Sequence, residues 1–391
     1  MDRELGSFAV LLLLSAIVAL ITRRWRVPYC VGLVIAGGAL WFSHALTVIP
    51  LSRELLFLVL LPPLIFEAAF YIRWADLRED LPVVLTLATV GVLLAALIVA
   101  AGMHYLVGWA WTSALAFGFL IAATDPVSVI AAFKEAGVSG RLRLLVEAES
   151  LVNDGTAAVA FGLVVAVAQG VQATPQDALL SLASTLAGGI LSGLIVAAIA
   201  LFLAGKTTDR LVEITSTTVA AYGSFLLAEH FHCSGILATM TAGLLIGQYS
   251  SLGTMTEKGR ESVGDFWEYA AFVANSLIFL LIGSRLAAQT LAPVAWAAII
   301  GILLVCLGRA VAVYAGCAVW ARSRYRVDLG YQHTLVWGGL RGALALALAL
   351  GLPPAIAHRN EVVAVTYAVV AFSVFVQGLT LPPVLRKLGY I

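Results

Sequence analysis

The sequence predicts an all-α membrane protein of about 13 transmembrane helices, and three features lead there. Of its 391 residues, 61% are hydrophobic and 12% charged, about half the charged share of a soluble domain. Nearly every segment is an apolar run of about 20 residues with short polar breaks, the length needed to cross a hydrocarbon core roughly 30 Å thick. Lysine and arginine then crowd every second break, which fixes both the count and the orientation.

In chain order the runs lie at about 7–22, 28–42, 54–71, 82–103, 111–134, 142–168, 178–204, 210–229, 233–249, 264–284, 292–320, 330–351 and 361–385. The first is expected to stay as a membrane helix: Arg23, Arg24 and Arg26 follow its apolar stretch, and no A-x-A pattern closes it as in a cleaved leader. An odd number of spans separates the termini. With the C-terminus inside, 17 basic residues fall in inner segments, and only Arg3, Arg53, Arg285 and Arg359 fall outside. Missing or inventing one span would break that alternation. The expected location is therefore the cell (inner or plasma) membrane, multi-pass, with the N-terminus outside and the C-terminus cytoplasmic. A net charge of +1 offers nothing to nucleic acid, and the lipid bilayer is the partner that composition demands. Cys30, Cys233, Cys306 and Cys317 sit in separate apolar segments without ligand spacing, and read as small buried hydrophobes.

Arg309 and Arg341 complete the 23 basic residues and lie within spans 11 and 12. A charge at membrane depth costs at least about 2.5 kcal/mol on the insertion scale, so each needs a partner or a wet cavity. Acidic residues at depth are Asp125 in span 5 and Glu149 and Asp154 in span 6, with Glu67 at the inner end of span 3. Pro126 removes a backbone donor and disfavours helix at Asp125, so span 5 is expected to break in mid-membrane. The cluster Gly338-Gly339-Leu340-Arg341-Gly342 predicts a second break in span 12. Spans 5 and 12 are seven apart and run in opposite senses. Two six-helix halves, about 1–170 and 210–391, joined by a linker helix at about 178–204, then form an inverted repeat with the broken helices crossed. A single membrane transport domain is expected, with no soluble regulatory domain.

Span 6 carries the densest chemistry. Ser150 and Asp154 share one helical stripe, and Glu149 and Asn153 the adjacent one, so one face presents two carboxylates, a hydroxyl and an amide. Oxygen donors of this kind suit a hard cation. Ser150 and Asn153 alone could serve as hydrogen-bonding glue between helices, but neutral residues would do that at lower insertion cost than Glu149 or Asp154. Asp125 has an ordinary capping role open to it, while the break beside it leaves helix ends of both signs free for an ion. Arg341 is placed to balance Asp125 or those carbonyl ends, and an Arg309 pair with Glu149 would leave Asp154 free to exchange its occupant.

Five motifs in order, Leu61-Pro62-Pro63-Leu64-Ile65-Phe66-Glu67-Ala68-Ala69-Phe70, Ala123-Thr124-Asp125-Pro126-Val127, Glu149-Ser150-Leu151-Val152-Asn153-Asp154, Ala274-Asn275-Ser276-Leu277-Ile278-Phe279 and Gly338 to Ala343, make nearly the whole chain resemble the cation/proton antiporter 1 family, the sodium/proton exchangers. The resemblance implies a homodimer whose protomers each move a core against a dimerisation domain by alternating access. It makes Asp154 the site where Na+ and H+ compete, with Na+ held at Asp154, Glu149, Ser150 and Thr124. Asn153 is then the neutral member of the Asn-Asp pair, Glu149 the partner of Arg309, Asp125 a nearby acid and Arg341 the residue that steadies the crossed breaks. Exchange is expected to be electroneutral, one cation for one proton, serving pH homeostasis, with no catalytic residue and no cofactor beyond the transported ions. Alternatives are a K+ or Li+ antiporter of the same fold, a cation channel or uniporter, and an intramembrane hydrolase using Asp125 and Asp154. Residue types do not fix which alkali cation is taken.

Overall fold

A computed structural model describes residues 2–25, 27–43, 52, 54–125, 129, 130, 133, 137–171, 175–250 and 255–390. Fourteen helices have described bounds, one to a span except in span 12, which holds two; residues 129, 130 and 133 of span 5 are helical as well. They are α1 (Asp2–Trp25), α2 (Tyr29–Ser43), α3 (Leu55–Phe70), α4 (Trp74–Val107), α5 (Trp111–Ala122), α6 (Arg141–Ala168) and α7 (Pro175–Ala204). The remainder are α8 (Arg210–His230), α9 (Gly235–Tyr249), α10 (Glu257–Ala288), α11 (Ala292–Val319), α12 (Leu329–Trp337), α13 (Ala343–Leu350) and α14 (Arg359–Lys387). Seven are long and apolar enough to cross a membrane unaided. The fold is an all-helical membrane protein.

Several helices outrun their apolar stretches. Span 4 was expected from about residue 82, but α4 starts at Trp74; span 10 was expected from about 264, but α10 starts at Glu257. Both extensions are polar and have helix-start chemistry. Asp76 lies in the first turn of α4, and the Thr256 hydroxyl accepts from Gly259 N–H at the start of α10. Hydropathy marks where lipid begins; the helix continues into the polar layer.

The helices pack in two groups. In one, α2 lies on α10, α9 on α3 and α7, and α8 on α7 and α9. In the other, α4 lies on α5 and α11, α5 on α6, and α14 on α11 and α13. Helix α6 sits at the junction, touching α3 and α9 as well as α4 and α5.

Both expected interruptions are visible. Helix α5 ends at Ala122, Ala123 turns extended (φ −58°, ψ 136°), and residues 129 and 130 are helical again. Pro126, to which the sequence assigned that break, and Ser128 lie outside the described residues, as do Arg26, Arg53 and Lys134 among the counted charges. Between α12 and α13 the chain is non-helical through Gly339–Gly342. The two interruptions touch: Asp125 N–H donates to Leu340 O at 2.8 Å.

Candidate functional site

Each broken helix leaves backbone groups without their helical partners. The Arg341 guanidinium, 2% exposed, donates to Ala122 O at 2.7 Å and Ala123 O at 3.0 Å, meeting the carbonyl end of α5 with positive charge. On the opposite strand of the crossing, the Asp125 carboxylate lies against Gly342, the residue that starts α13, so closely that a Cβ at Gly342 would collide with it. A negative group thus stands at the N-terminal end of one half-helix and a positive group at the C-terminal end of the other.

Helix α6 lays its polar face along this crossing. Asn153, fully buried, accepts from Thr124 N–H at 3.2 Å and donates from Nδ2 to Thr124 Oγ1 at 2.7 Å and to Glu149 Oε1 at 2.9 Å. Thr124 Oγ1 and Ser150 Oγ are 2.8 Å apart. Glu149 receives both arms of Arg309, at 2.7 Å on Oε1 and 2.8 Å on Oε2. Arg309 also donates to Leu335 O from Nε at 3.1 Å and Nη2 at 2.9 Å. Leu335 lies in the last turn of α12, where the break withdraws its helical donor. The two most deeply buried arginines therefore each close a cut helix end, and one of them also neutralises Glu149.

Asp154 differs from the other acids. Its Oδ1 is buried and, among the described residues, accepts no hydrogen bond, although a buried carboxylate oxygen without a donor is costly. A cavity of about 40 Å³ opens beside it, lined also by Thr124, Asp125, Leu151 and Ala68 and roomy enough for about one water-sized occupant. Ala68 also lines a cavity of about 1220 Å³ edged by Glu67, Glu147, Glu268 and five arginines, Arg73, Arg78, Arg141, Arg143 and Arg324. All five belong to the set that the charge bias puts on the inner side.

The structure brings Thr124, Ser150, Asn153, Glu149 and Arg309 into one hydrogen-bonded cluster, with Asp154 and Asp125 on the adjoining cavity and Arg341 under the α5 end. Sequence reasoning expected free carbonyl ends at the span 5 break but could not name Ala122, Ala123, Leu335 or Leu340, because a backbone oxygen has no residue signature. Glu67, quoted with the motifs and left without a role, edges the large cavity together with Glu147.

A family model described as sodium/hydrogen exchanger, transmembrane, matches residues 10–387. The Na(+)/H(+) antiporter ApNhaP of Aphanothece halophytica is 39% identical over 369 residues, 94% of this chain and 70% of that protein. The low-affinity Na(+)/H(+) antiporter NhaS1 of Synechocystis is 36% identical over 398 residues, 99% of this chain and 75% of that protein. Among solved structures, the sodium proton antiporter MjNhaP1 from Methanocaldococcus jannaschii at pH 8 superposes with a TM-score of 0.75 at 19% identity, covering 99% of this chain and 96% of that one. An electron-microscopy structure of MjNhaP1 gives 0.80 at 20% identity over 99% and 98%.

Proposed function

The chain belongs to the sodium/hydrogen exchanger family and is a multi-pass Na+/H+ antiporter, and we propose that it exchanges one Na+ for one H+ at the carboxylate of Asp154. The observation that carries this reading is the contrast between two buried acids on one helix. Both Glu149 oxygens are held by Arg309, whereas Asp154 Oδ1 accepts no hydrogen bond among the described residues and Asp154 lines a cavity roomy enough for about one water-sized occupant.

Asp154 supplies the charge for Na+. The Thr124 and Ser150 hydroxyls, which now bond each other, keep lone pairs for the same ion, as a hard cation requires. Asn153 holds Thr124 in place from both its backbone and its hydroxyl. Glu149 adds negative potential while it stays on Arg309, and Asp125 adds more from across the cavity. One carboxylate takes Na+ or H+ but not both. Bare, it would carry an uncompensated charge through the membrane, at a cost of at least about 2.5 kcal/mol on the insertion scale, so the core crosses only when loaded. That restriction couples the two flows.

The larger architecture follows the same reading. Thirteen membrane spans form an inverted repeat of halves at about 1–170 and 210–391, with α7 as linker and the N-terminus outside. The group containing α4, α5, α6 and α11 to α14 is the moving core, and the group around α2, α3 and α7 to α10 is the dimerisation domain of a homodimer. Because the large cavity is edged by arginines of the inner set, this conformer faces the cytoplasm.

Asp154→Asn removes the charge at nearly constant volume. In proteoliposomes acidified inside and loaded with a pH-reporting dye, it is expected to insert normally and to give no Na+-driven proton release. Exchange near the wild-type rate would overturn the assignment of Asp154.

A further inference from the structure

We infer that Thr156 is a positioning residue for the exchange, setting the rotation of α6 through a hydrogen bond from its hydroxyl to the carbonyl of Ala88 on α4. The inference rests on the reading of Asp154 as the carrier.

Helix α4 carries a widened π turn over Leu87–Gly91. Such turns leave the regular i+4 ladder and are frequent at functional sites. Here the amide of Val92, whose acceptor in a regular α-helix would be Ala88 O, donates instead to Thr89 O. Thr156 Oγ1 takes up the buried Ala88 carbonyl at 2.5 Å and lies 3.0 Å from Asn153 O, the backbone of the Asn-Asp pair itself. Some helical hydroxyls in this chain, such as Thr241 and Ser216, bond back to their own helix at Leu237 O and Val212 O, whereas Thr239 reaches across to Ala221 O on the neighbouring helix. The Thr156 bond joins two helices.

Its place on α6 gives it mechanical consequence. Thr156 follows Asp154 by two residues, about 200° round the helix, so it grips the back while Asp154 faces the cavity. A rotation of α6 by about 10° would swing a side-chain end at roughly 6 Å radius by about 1 Å. Displacements of that size are enough to cost up to about a hundredfold in a positioned reaction. The same π turn packs through Gly91 on Ala312 of α11, three residues beyond Arg309, so one short segment braces both helices that hold the Glu149 pair.

The test compares Thr156→Val, which keeps shape and loses the hydroxyl, with Thr156→Ser, which keeps the hydroxyl, using the full chain in proteoliposomes. Thr156→Val should raise the KM for Na+ about three- to tenfold, the worth of one hydrogen bond, and displace the pH profile of exchange. Thr156→Ser should restore both. A wild-type KM and pH profile in Thr156→Val would overturn the inference even if its thermal stability fell, and so would equal effects in the two variants. Should Thr156→Val fail to insert, Thr156→Ala, which adds no bulk, carries the same expectations. With Asp154→Asn measured alongside, the outcomes separate. Inactive Asp154→Asn with normal Thr156→Val removes only the positioning role, whereas active Asp154→Asn removes the reading beneath it.

Discussion

Glu149 and Arg309 stand 160 residues apart in sequence and meet through two hydrogen bonds of 2.7 and 2.8 Å. Taking both charges out of water is costly, and their attraction offsets that only while each keeps its partner. Glu149→Gln or Arg309→Gln alone should therefore lower unfolding stability by about 3–5 kcal/mol, and the double change by less than the two losses together. Thermal unfolding of the four proteins in one detergent closes the cycle, and strictly additive losses would dissolve the pair. Sequence reasoning could reach this contact because intramembrane charges are few and each demands compensation. It could not reach the third member, Leu335 O, whose availability arises only once the Gly338–Gly339 break has cut α12. Gly339 belongs to the same corner: a Cβ there would press on the Arg309 side chain.

At the scale of helices, the two breaks were legible because proline and clustered glycine disfavour continuous helix wherever they occur. How the broken ends satisfy one another was legible only in outline, in the expectation that Arg341 balances Asp125 or the carbonyl ends. Arg341 closes the carbonyl end of α5, Asp125 N–H reaches Leu340 O, and the Asp125 carboxylate fills the space beside Gly342. The π turns of α4 were invisible for a related reason, since Leu87-Ala88-Thr89-Val90-Gly91 reads as ordinary apolar helix and only its neighbours show why it widens. Two glycines make the distinction between site and scaffold testable. A Cβ at Gly342 would collide with the Asp125 carboxylate, whereas one at Gly247 on α9 would collide with the backbone carbonyl of Phe70 on α3, away from the crossing. Gly342→Ala and Gly247→Ala should each cost about 1–3 kcal/mol by overpacking. The folded fraction of Gly247→Ala should keep the wild-type KM for Na+, while that of Gly342→Ala should lose exchange. Equal KM values in the two variants would show that the crossing tolerates displacement of Asp125.

For the whole molecule, the decisive quantity is the charge moved per cycle. The charge bias along the sequence predicts an orientation, and five arginines of its inner set edge the large cavity. Sequence reasoning already paired Glu149 with Arg309, and the two hydrogen bonds between them give that pairing its geometry. On the proposed reading, with Asn153 neutral and Glu149 engaged by Arg309, Asp154 is the carboxylate of α6's polar face that changes its occupant, and one Na+ moving one way would be matched by one H+ moving the other. A net elementary charge would couple to 100 mV by about 2.3 kcal/mol, nearly a fiftyfold bias in the equilibrium gradient, and a neutral cycle would feel none of it. Proteoliposomes clamped with potassium and valinomycin at zero and at about 100 mV should therefore reach the same Na+ and H+ balance point, set by the two concentration ratios alone. A balance point that moves with voltage would mean that a second acid, Asp125 or Glu149, titrates within the cycle and that the stoichiometry is not one for one. Sustained Na+ current independent of the proton gradient would contradict coupling at Asp154 altogether, because a single carboxylate that must be loaded before the core moves cannot pass Na+ without returning a proton.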